Sequence, residues 1–218
     1  MRLILELRQK GVTDGRILSA IERTPRADFV EPPLAEQGWD DAPLPLPGGG
    51  ETTAPSDVAR MLAALAPGGE DVVLEIGLGS GWQSAVLSRL CARVISLERR
   101  ASLVAAAREK LRTRAYGLAD AYCADGTLGW PDSAPYTHVI VNAALREEYP
   151  ALLGQLKAGG VMVAPVEDER GQRIVLVKRG MDGAFSARSF GARASPPSRQ
   201  AWRTRTRSAC PGRRRDRE

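Results

Sequence analysis

From residue 71 onward, short apolar runs alternate with segments whose apolar residues recur every three or four positions. Uninterrupted apolar runs are typical of strands buried on both faces. Apolar residues that recur every three or four positions predict helices with one buried face. The runs predict strands over 71–77, 93–98, 121–125, 137–143, 159–166 and 173–179, separated by helices over 82–90, 102–112 and 147–156. Strands alternating with helices predict an α/β fold with a doubly wound, mostly parallel sheet.

The first 68 residues have a different pattern. Two short helices are predicted before residue 23, and Asp14 is suited to cap the second of them. Residues 31–55 are rich in proline, glycine and aspartate, which predicts irregular chain. A loop of this length inside a compact domain is more often functional than not. Ser56 is expected to cap the helix that follows.

Beyond Gly180 neither period continues. The 33 residues from Ser186 contain ten arginines, no lysine and two acids, a net charge of +8. The other 185 residues therefore carry −3 of the total +5, so the basic character belongs to the tail. Because the tail has few large apolar residues, it is expected to be disordered, and it offers the one basis for a nucleic-acid partner.

Composition limits the remaining possibilities. The chain has 218 residues, 43% of them hydrophobic, enough for one domain with a sizeable core. No apolar stretch approaches the ~20 residues of a membrane span, and the N-terminus lacks the features of a secretory signal. Three scattered cysteines and one histidine give no metal-ligand spacing, and such sparse cysteine use favours a reducing compartment. We therefore expect a cytoplasmic protein without a metal site or a membrane partner.

A glycine-rich turn between the first predicted strand and its helix is the principal candidate for ligand binding. It reads Glu75-x-Gly77-x-Gly79-x-Gly81. Glycines let the chain turn sharply and let backbone N–H groups approach a ligand at the start of a helix. Glu98, at the end of the next strand, could accept hydrogen bonds from both hydroxyls of a ribose. The alternatives are a tight turn without a ligand and an exposed glutamate paired with a neighbouring arginine.

The turn favours one nucleoside cofactor over another. A dinucleotide-binding loop would need its third glycine at position 82, which is occupied by Trp82. The acid at Glu75 would repel a pyrophosphate but suits a cationic ligand, and S-adenosylmethionine carries an ammonium and a sulfonium. Asp125 and Gly126, after the third strand, are then suited to contact the adenine. The alternative for Asp125 is a simple Asp-Gly turn.

Several longer segments resemble one family, the protein-L-isoaspartate (D-aspartate) O-methyltransferases. The resemblance runs in order over roughly residues 1–178. It rests on TPRADFVEP (24–32), LEIGLGSGWQSAVLSRL (74–90), VISLER (94–99), ADGTLGWPDSAPYTHVIVNAA (124–144) and LLGQLKAGGVMVAPV (152–166).

This resemblance implies a Rossmann-like fold and a reaction. Members of the family transfer a methyl group from S-adenosylmethionine to the α-carboxylate of L-isoaspartyl residues in damaged proteins. The ester then closes to a succinimide that reopens partly to normal aspartate, which repairs the protein. A carboxylate is already ionised at pH 7, so the transfer requires no strong base. The alternative is a degenerate or re-purposed member that binds cofactor without isoaspartyl turnover or methylates another carboxylate.

By match to the family's motifs, the resemblance also implies site residues. Thr53 is the candidate catalytic residue, which would hold the substrate carboxylate or the cofactor; its alternative role is a helix cap. The implied cofactor-binding residues are Glu75, Gly77, Gly79, Gly81, Glu98, Asp125 and Gly126.

The sequence departs from the family's pattern at two places. One alignment sets Glu51 where the family has a threonine, which would bring a carboxylate close to the anionic substrate. The other alignment, with a gap, sets Glu51 on the family's glutamine and Thr52 on its threonine. The family's closing strand has no recognisable counterpart after residue 178. The Arg-rich tail is either a genuine basic appendage or the product of a shifted reading frame, and the abrupt loss of periodicity favours the second.

We therefore expect three parts in the chain. Residues 1–68 would form N-terminal helices and a loop covering substrate and cofactor. Residues 69–180 would form the S-adenosylmethionine-binding core, and residues 181–218 the tail. The expected partners are isoaspartyl-containing proteins and peptides, with no nucleic acid except through the tail, and the protein is expected to be a monomer.

Overall fold

One seven-stranded sheet organises the protein, whose computed structural model describes residues 2–143, 145, 150–168 and 171–190. The strand order is β3-β2-β1-β4-β5-β6-β7. The strands are β1 (Val72–Ile76), β2 (Arg93–Glu98), β3 (Ala119–Cys123), β4 (Tyr136–Val141), β5 (Leu156–Asp168), β6 (Gly171–Arg179) and β7 (Phe185–Phe190). Strands β1 to β5 pair in parallel, whereas β5–β6 and β6–β7 are antiparallel. The predicted doubly wound, mostly parallel sheet is confirmed.

Helices cover both faces of this sheet. Those in the described residues are α1 (Arg2–Gln9), α2 (Gly15–Glu22), α3 (Pro55–Leu65), α4 (Trp82–Leu87), α5 (Ala101–Thr113) and α6 (Pro150–Gly154). Short 3-10 turns span Arg26–Asp28, Pro32–Leu34, Glu36–Trp39, Gly126–Leu128 and Pro131–Ser133. Asp14 caps α2 as predicted, because its side chain accepts hydrogen bonds from the N–H groups of Arg16 and Ile17.

The apolar strands have cores on both sides. In β1, Val73 packs in a cluster with the N-terminal helices, and Leu74 and Ile76 pack in a second cluster on the opposite face. All three side chains are at most 3% exposed. This double burial explains why β1 reads as an uninterrupted apolar run rather than as an alternating pattern.

The edge of the sheet differs from the sequence prediction. The expected absence of a closing strand is wrong, since residues 185–190 of the predicted tail form β7, with Ile174 opposite Phe190 and Arg179 opposite Phe185. Its pattern was hidden because the strand lies at the sheet edge, where most of its side chains are exposed and need not be apolar. Residues 191–218, the rest of the predicted tail, lie outside the described residues.

The start of α3 also differs. The cap residue is Ala54, and Ser56 lies inside the first turn of the helix rather than at its cap. The carboxylate of Asp41, fifteen residues upstream, accepts a hydrogen bond from Ser56 N at 2.7 Å. Asp41, from a neighbouring loop, therefore accepts a hydrogen bond from a free N–H group at the helix N-terminus, the role that was expected of the Ser56 side chain.

Two helices end earlier than predicted. Helix α4 ends at Leu87 instead of residue 90, and residue 156 begins β5 instead of ending a helix. The residues expected to open that helix, 147–149, lie outside the described ranges. None of the helices in the described ranges has the length and apolarity that a bilayer crossing requires.

Candidate active site

The carboxyl ends of β1, β2 and β4 lie side by side at one end of the strands, where a cavity of about 250 Å³ opens. Ligands of doubly wound sheets bind at the carboxyl ends of the strands, because the loops that follow the parallel strands converge there. The cavity wall brings together six of the eight residues singled out from the sequence: Thr53, Gly77, Gly79, Glu98, Asp125 and Gly126. Glu75 and Gly81 do not form part of this wall.

The glycine turn after β1 uses its glycines for different purposes. Gly77 and Gly79 have φ angles of +91° and +54°, which favour glycine, and both line the cavity. Gly81 also has a positive φ, but a Cβ atom there would lie 3.0 Å from Ala107 Cβ of α5. The close approach of two helices therefore explains Gly81, and the direct cofactor contact expected of it is not supported.

Glu98 is held against the glycine turn. Its carboxylate accepts hydrogen bonds from Gly79 N at 3.3 Å and from Arg100 N at 3.0 Å. Only 8% of the residue is exposed, and it lies on the cavity wall. The carboxylate is thus fixed at the end of β2, where it can accept further hydrogen bonds from inside the cavity.

Glu75 is fully buried behind the cavity. Its carboxylate accepts hydrogen bonds from the hydroxyls of Ser84 and Ser96 and from Asn142 Nδ2, the last at 3.1 Å. Burial raises the pKa of Glu75 to about 7, although these hydrogen bonds act in the opposite direction. The Glu75 carboxylate therefore does not face the cavity, and its hydrogen bond to Asn142 connects it to a residue of the cavity wall.

Asn142 and Gln83 connect Glu75 to the cavity, and the sequence analysis did not single out either as a site residue. Asn142 Nδ2 also donates to Gly77 O at 3.0 Å, and its Oδ1 accepts from Gln83 Nε2 at 2.9 Å. Within the described part of the chain, Gln83 Oε1 is buried and has no hydrogen-bond partner. Both amides line the cavity. The available signal was their position, one directly after a strand and one in the first turn of a helix.

The adenine candidates lie after β3. Asp125 Oδ1 accepts from Thr127 N at 3.0 Å and from Thr127 Oγ1 at 2.9 Å, so Asp125 caps the short turn that follows. A Cβ atom on Gly126 would lie 2.4 Å from Ile76 Cγ2. The alternative of a structural turn residue thus describes part of what Asp125 does. Its neighbour Gly126 lets the turn pack directly against Ile76, and both residues line the cavity.

A short ribbon, residues 44–53, forms the side of the cavity opposite the sheet. Pro45 and Glu51 form an antiparallel bridge, and Leu46 N donates to Gly50 O at 2.9 Å. Arg100, two residues after Glu98, donates to the carbonyl oxygens of Pro47 at 3.1 Å and Gly49 at 2.5 Å. The turn of the ribbon is therefore fastened to the loop that follows Glu98.

A buried arginine holds the other end of the ribbon. Arg26 is 1% exposed and donates to Asp40 O, Ala42 O and Thr52 Oγ1 at 3.1, 2.8 and 2.6 Å. Burial lowers its pKa to about 10. Thr53 follows Thr52 in the chain and lines the cavity. Its alternative role was to cap α3, but the cap residue of that helix is Ala54.

Two further residues bear on the sequence predictions. Trp82 is buried, and its Nε1 donates to Thr24 O at 2.8 Å, so a bulky side chain fills the space that a dinucleotide loop would keep for glycine. Glu51 lies on the cavity wall and is exposed. In the described ranges no group of three His, Cys, Asp or Glu side chains could hold a metal ion.

Comparisons with known proteins identify the family that this chain resembles. The family model described as Protein-L-isoaspartate(D-aspartate) O-methyltransferase matches residues 1–192, further than the resemblance found in the sequence. Relatives named protein-L-isoaspartate O-methyltransferase include one from Paracoccus denitrificans, 44% identical, with 84% of this chain and 85% of the relative covered. Another, from Rhodospirillum rubrum, is 42% identical over 90% of this chain and 91% of the relative.

Solved structures extend the agreement to the fold. A protein-L-isoaspartate O-methyltransferase superposes with a TM-score of 0.75 and 25% identity, covering 89% of this chain and 66% of its own. A Plasmodium falciparum structure described as such an enzyme in complex with S-adenosyl-L-homocysteine has a TM-score of 0.73 and 18% identity, with 86% and 92% covered. The chain therefore belongs to the protein-L-isoaspartate (D-aspartate) O-methyltransferase family.

Proposed function

We propose that this protein transfers a methyl group from S-adenosylmethionine to the α-carboxylate of L-isoaspartyl residues and so initiates the repair of damaged proteins. Family membership supports this reaction over a degenerate or re-purposed member. The observation that carries the proposal is the cavity wall, which joins Thr53 to the glycine turn, Glu98 and Gly126. The residues assigned to cofactor binding and the residue assigned to the substrate thus share one cavity, as methyl transfer between the two requires.

The wall fits S-adenosylmethionine in shape and charge. Gly126 and Ile76 pack closely on the cavity wall, and there they offer a flat surface to the adenine. Glu98 can accept hydrogen bonds from the ribose hydroxyls. The unpartnered Oε1 of Gln83 is an acceptor that suits an ammonium, since a buried acceptor without a donor is costly.

The chemistry needs alignment more than acid or base. The cofactor supplies a methyl group on a sulfonium, a good leaving group. We assign to the Thr53 hydroxyl a hydrogen bond to one oxygen of the substrate carboxylate, which leaves the other oxygen free to attack. No general base is required, because the carboxylate is ionised at pH 7. Correct alignment of the reacting atoms contributes on the order of 7–11 kcal/mol in good cases.

The ribbon excludes water from this alignment. It is fastened by Arg100 at its turn and by Arg26 at Thr52, the residue before Thr53. In this proposal residues 1–68 bind substrate and cover the cofactor, and residues 69–180 bind the cofactor. Isoaspartyl-containing proteins are the substrates, and a monomer in the cytoplasm remains our expectation.

Replacing Thr53 tests the assignment of roles. Thr53→Ala is expected to lower kcat at least ten-fold with S-adenosylhomocysteine affinity within about two-fold of wild type, and Thr53→Ser is expected to restore most of the turnover. Steady-state methyl transfer to an isoaspartyl peptide and calorimetric titration of S-adenosylhomocysteine measure the two quantities. Unchanged kcat in Thr53→Ala would remove Thr53 from the reaction.

A further inference from the structure

Glu51 carries a negative charge at the place where an anionic substrate arrives. It is exposed and lines the cavity. Among the described residues, no arginine, lysine or histidine forms an ion pair with its carboxylate. A methyltransferase for carboxylates thus keeps an uncompensated carboxylate on the wall of its own site.

The ribbon sets the direction of this side chain. Thr52 turns its hydroxyl inward, where it accepts from Arg26 Nη2 and from Leu44 N. Because alternate side chains of an extended segment point to the same side, Glu51 and Thr53 share the other side. Two residues of such a segment span about 6.5 Å, so Glu51 lies within one side-chain length of the group that we assign to the substrate carboxylate.

Two arginines, Arg99 and Arg100, share the cavity wall with Glu51, and each already has an interaction partner. Arg100 donates its guanidinium to Pro47 O and Gly49 O, and its Nε lies 3.6 Å from a Glu98 oxygen. The charge of Arg100 therefore serves the turn of the ribbon and Glu98. Glu51 stays available to a charge brought by the substrate.

We propose that Glu51 is a specificity-determining residue that favours isoaspartyl peptides with a lysine or arginine next to the isoaspartyl residue. The inference rests on the proposed function. Neighbouring residues of an extended peptide are about 3.3 Å apart along the chain, and a lysine or arginine side chain easily spans the distance between Thr53 and Glu51. An acidic neighbour would instead meet the same carboxylate and be disfavoured.

The size of the effect follows from exposure. Exposed ion pairs contribute little, so the preference for a lysine neighbour over glutamine is expected to be about two- to five-fold in kcat/KM. The preference should weaken as salt rises from about 0.05 M to about 0.5 M, because the screening length falls from beyond 10 Å to a few ångströms. A preference based on shape would not depend on salt.

The test uses three isoaspartyl peptides that differ only at the neighbouring residue, which is lysine, glutamine or glutamate. The wild-type chain, Glu51→Gln, the charge reversal Glu51→Lys and the control Glu70→Gln are compared by kcat/KM at low and high salt. Glu70 is an exposed acid that precedes β1, at the opposite edge of the sheet from the cavity. Calorimetric titration of S-adenosylhomocysteine checks that each variant retains a folded cofactor site.

We expect wild type and Glu70→Gln to rank the peptides lysine, glutamine, glutamate, Glu51→Gln to treat them equally, and Glu51→Lys to reverse the order. An order that persists in Glu51→Gln and Glu51→Lys would overturn the inference while leaving the proposed function intact. Failure of the wild type to methylate any of the three peptides would instead refute the proposed function.

Discussion

Removing the buried carboxylate of Glu75 should change how stability depends on pH. The pKa of Glu75 is raised by burial from an ordinary 4.5 to about 7. Between these two values the folded chain binds more protons than the unfolded chain, so the free energy of unfolding falls as pH rises. A shift of this size corresponds to about 3 kcal/mol, present in full below pH 4.5 and lost once the pH has risen through about 7.

Glu75→Gln removes this titration while keeping the shape of the side chain. Its amide must donate where the carboxylate accepted, and the hydroxyls of Ser84 and Ser96 can rotate to accept from it. We expect the variant to lose stability relative to wild type at pH 5 and to recover up to about 3 kcal/mol of that difference by pH 8. Other titrating groups contribute equally to both proteins and cancel in the difference.

Urea unfolding at pH 5, 6, 7 and 8 measures this difference, with Glu70→Gln as the matched control that should follow the wild type. A constant difference between Glu75→Gln and wild type across this range would refute the reasoning. It would mean that the hydrogen bonds of the Glu75 carboxylate fully offset its burial.

Three further changes test the site. Glu98→Ala is expected to weaken S-adenosylhomocysteine binding at least ten-fold in calorimetry, because each lost hydrogen bond to a charged group contributes about 1.5–3 kcal/mol; unchanged affinity would exclude the assigned ribose contact. Gly126→Ala should weaken the same binding, since its methyl group must displace Ile76, and wild-type affinity would contradict that steric argument. Arg26→Lys keeps the charge but loses the fork that reaches three oxygens; we expect it to lower the urea midpoint and kcat, and an unaltered kcat would show that the ribbon needs no such support.

The sequence predicted those elements whose signal is local. The apolar run of β2 has the predicted bounds, 93–98, because both faces of that strand are buried. Strand β7 was missed since an exposed edge strand needs no apolar pattern. The cap of α3 was misassigned because Asp41, which bonds to its first turn, lies in a separate loop that local sequence does not relate to the helix.

The candidate site divides in the same way. Position at or just after the carboxyl end of a strand was enough to place Glu98 and Gly126 on the cavity wall, because parallel strands bring their carboxyl ends together. It was not enough to show that the Glu75 side chain turns into the core, since every residue of a doubly covered strand faces buried surroundings. Asn142 links Glu75 to Gln83, but it lies 67 positions from Glu75 and 59 positions from Gln83 along the chain. A single sequence does not reveal contacts over such separations.

The isoaspartyl methyltransferase activity is tested most directly by comparing methyl transfer to two peptides of identical composition, one with L-isoaspartate and one with normal aspartate at the same position. The full chain and S-adenosylmethionine are used, with a lysine beside the variable residue. We expect saturable transfer to the isoaspartyl peptide alone, one methyl group per isoaspartyl residue. Equal transfer to both peptides, or transfer to neither by a chain that binds S-adenosylhomocysteine, would contradict this expectation.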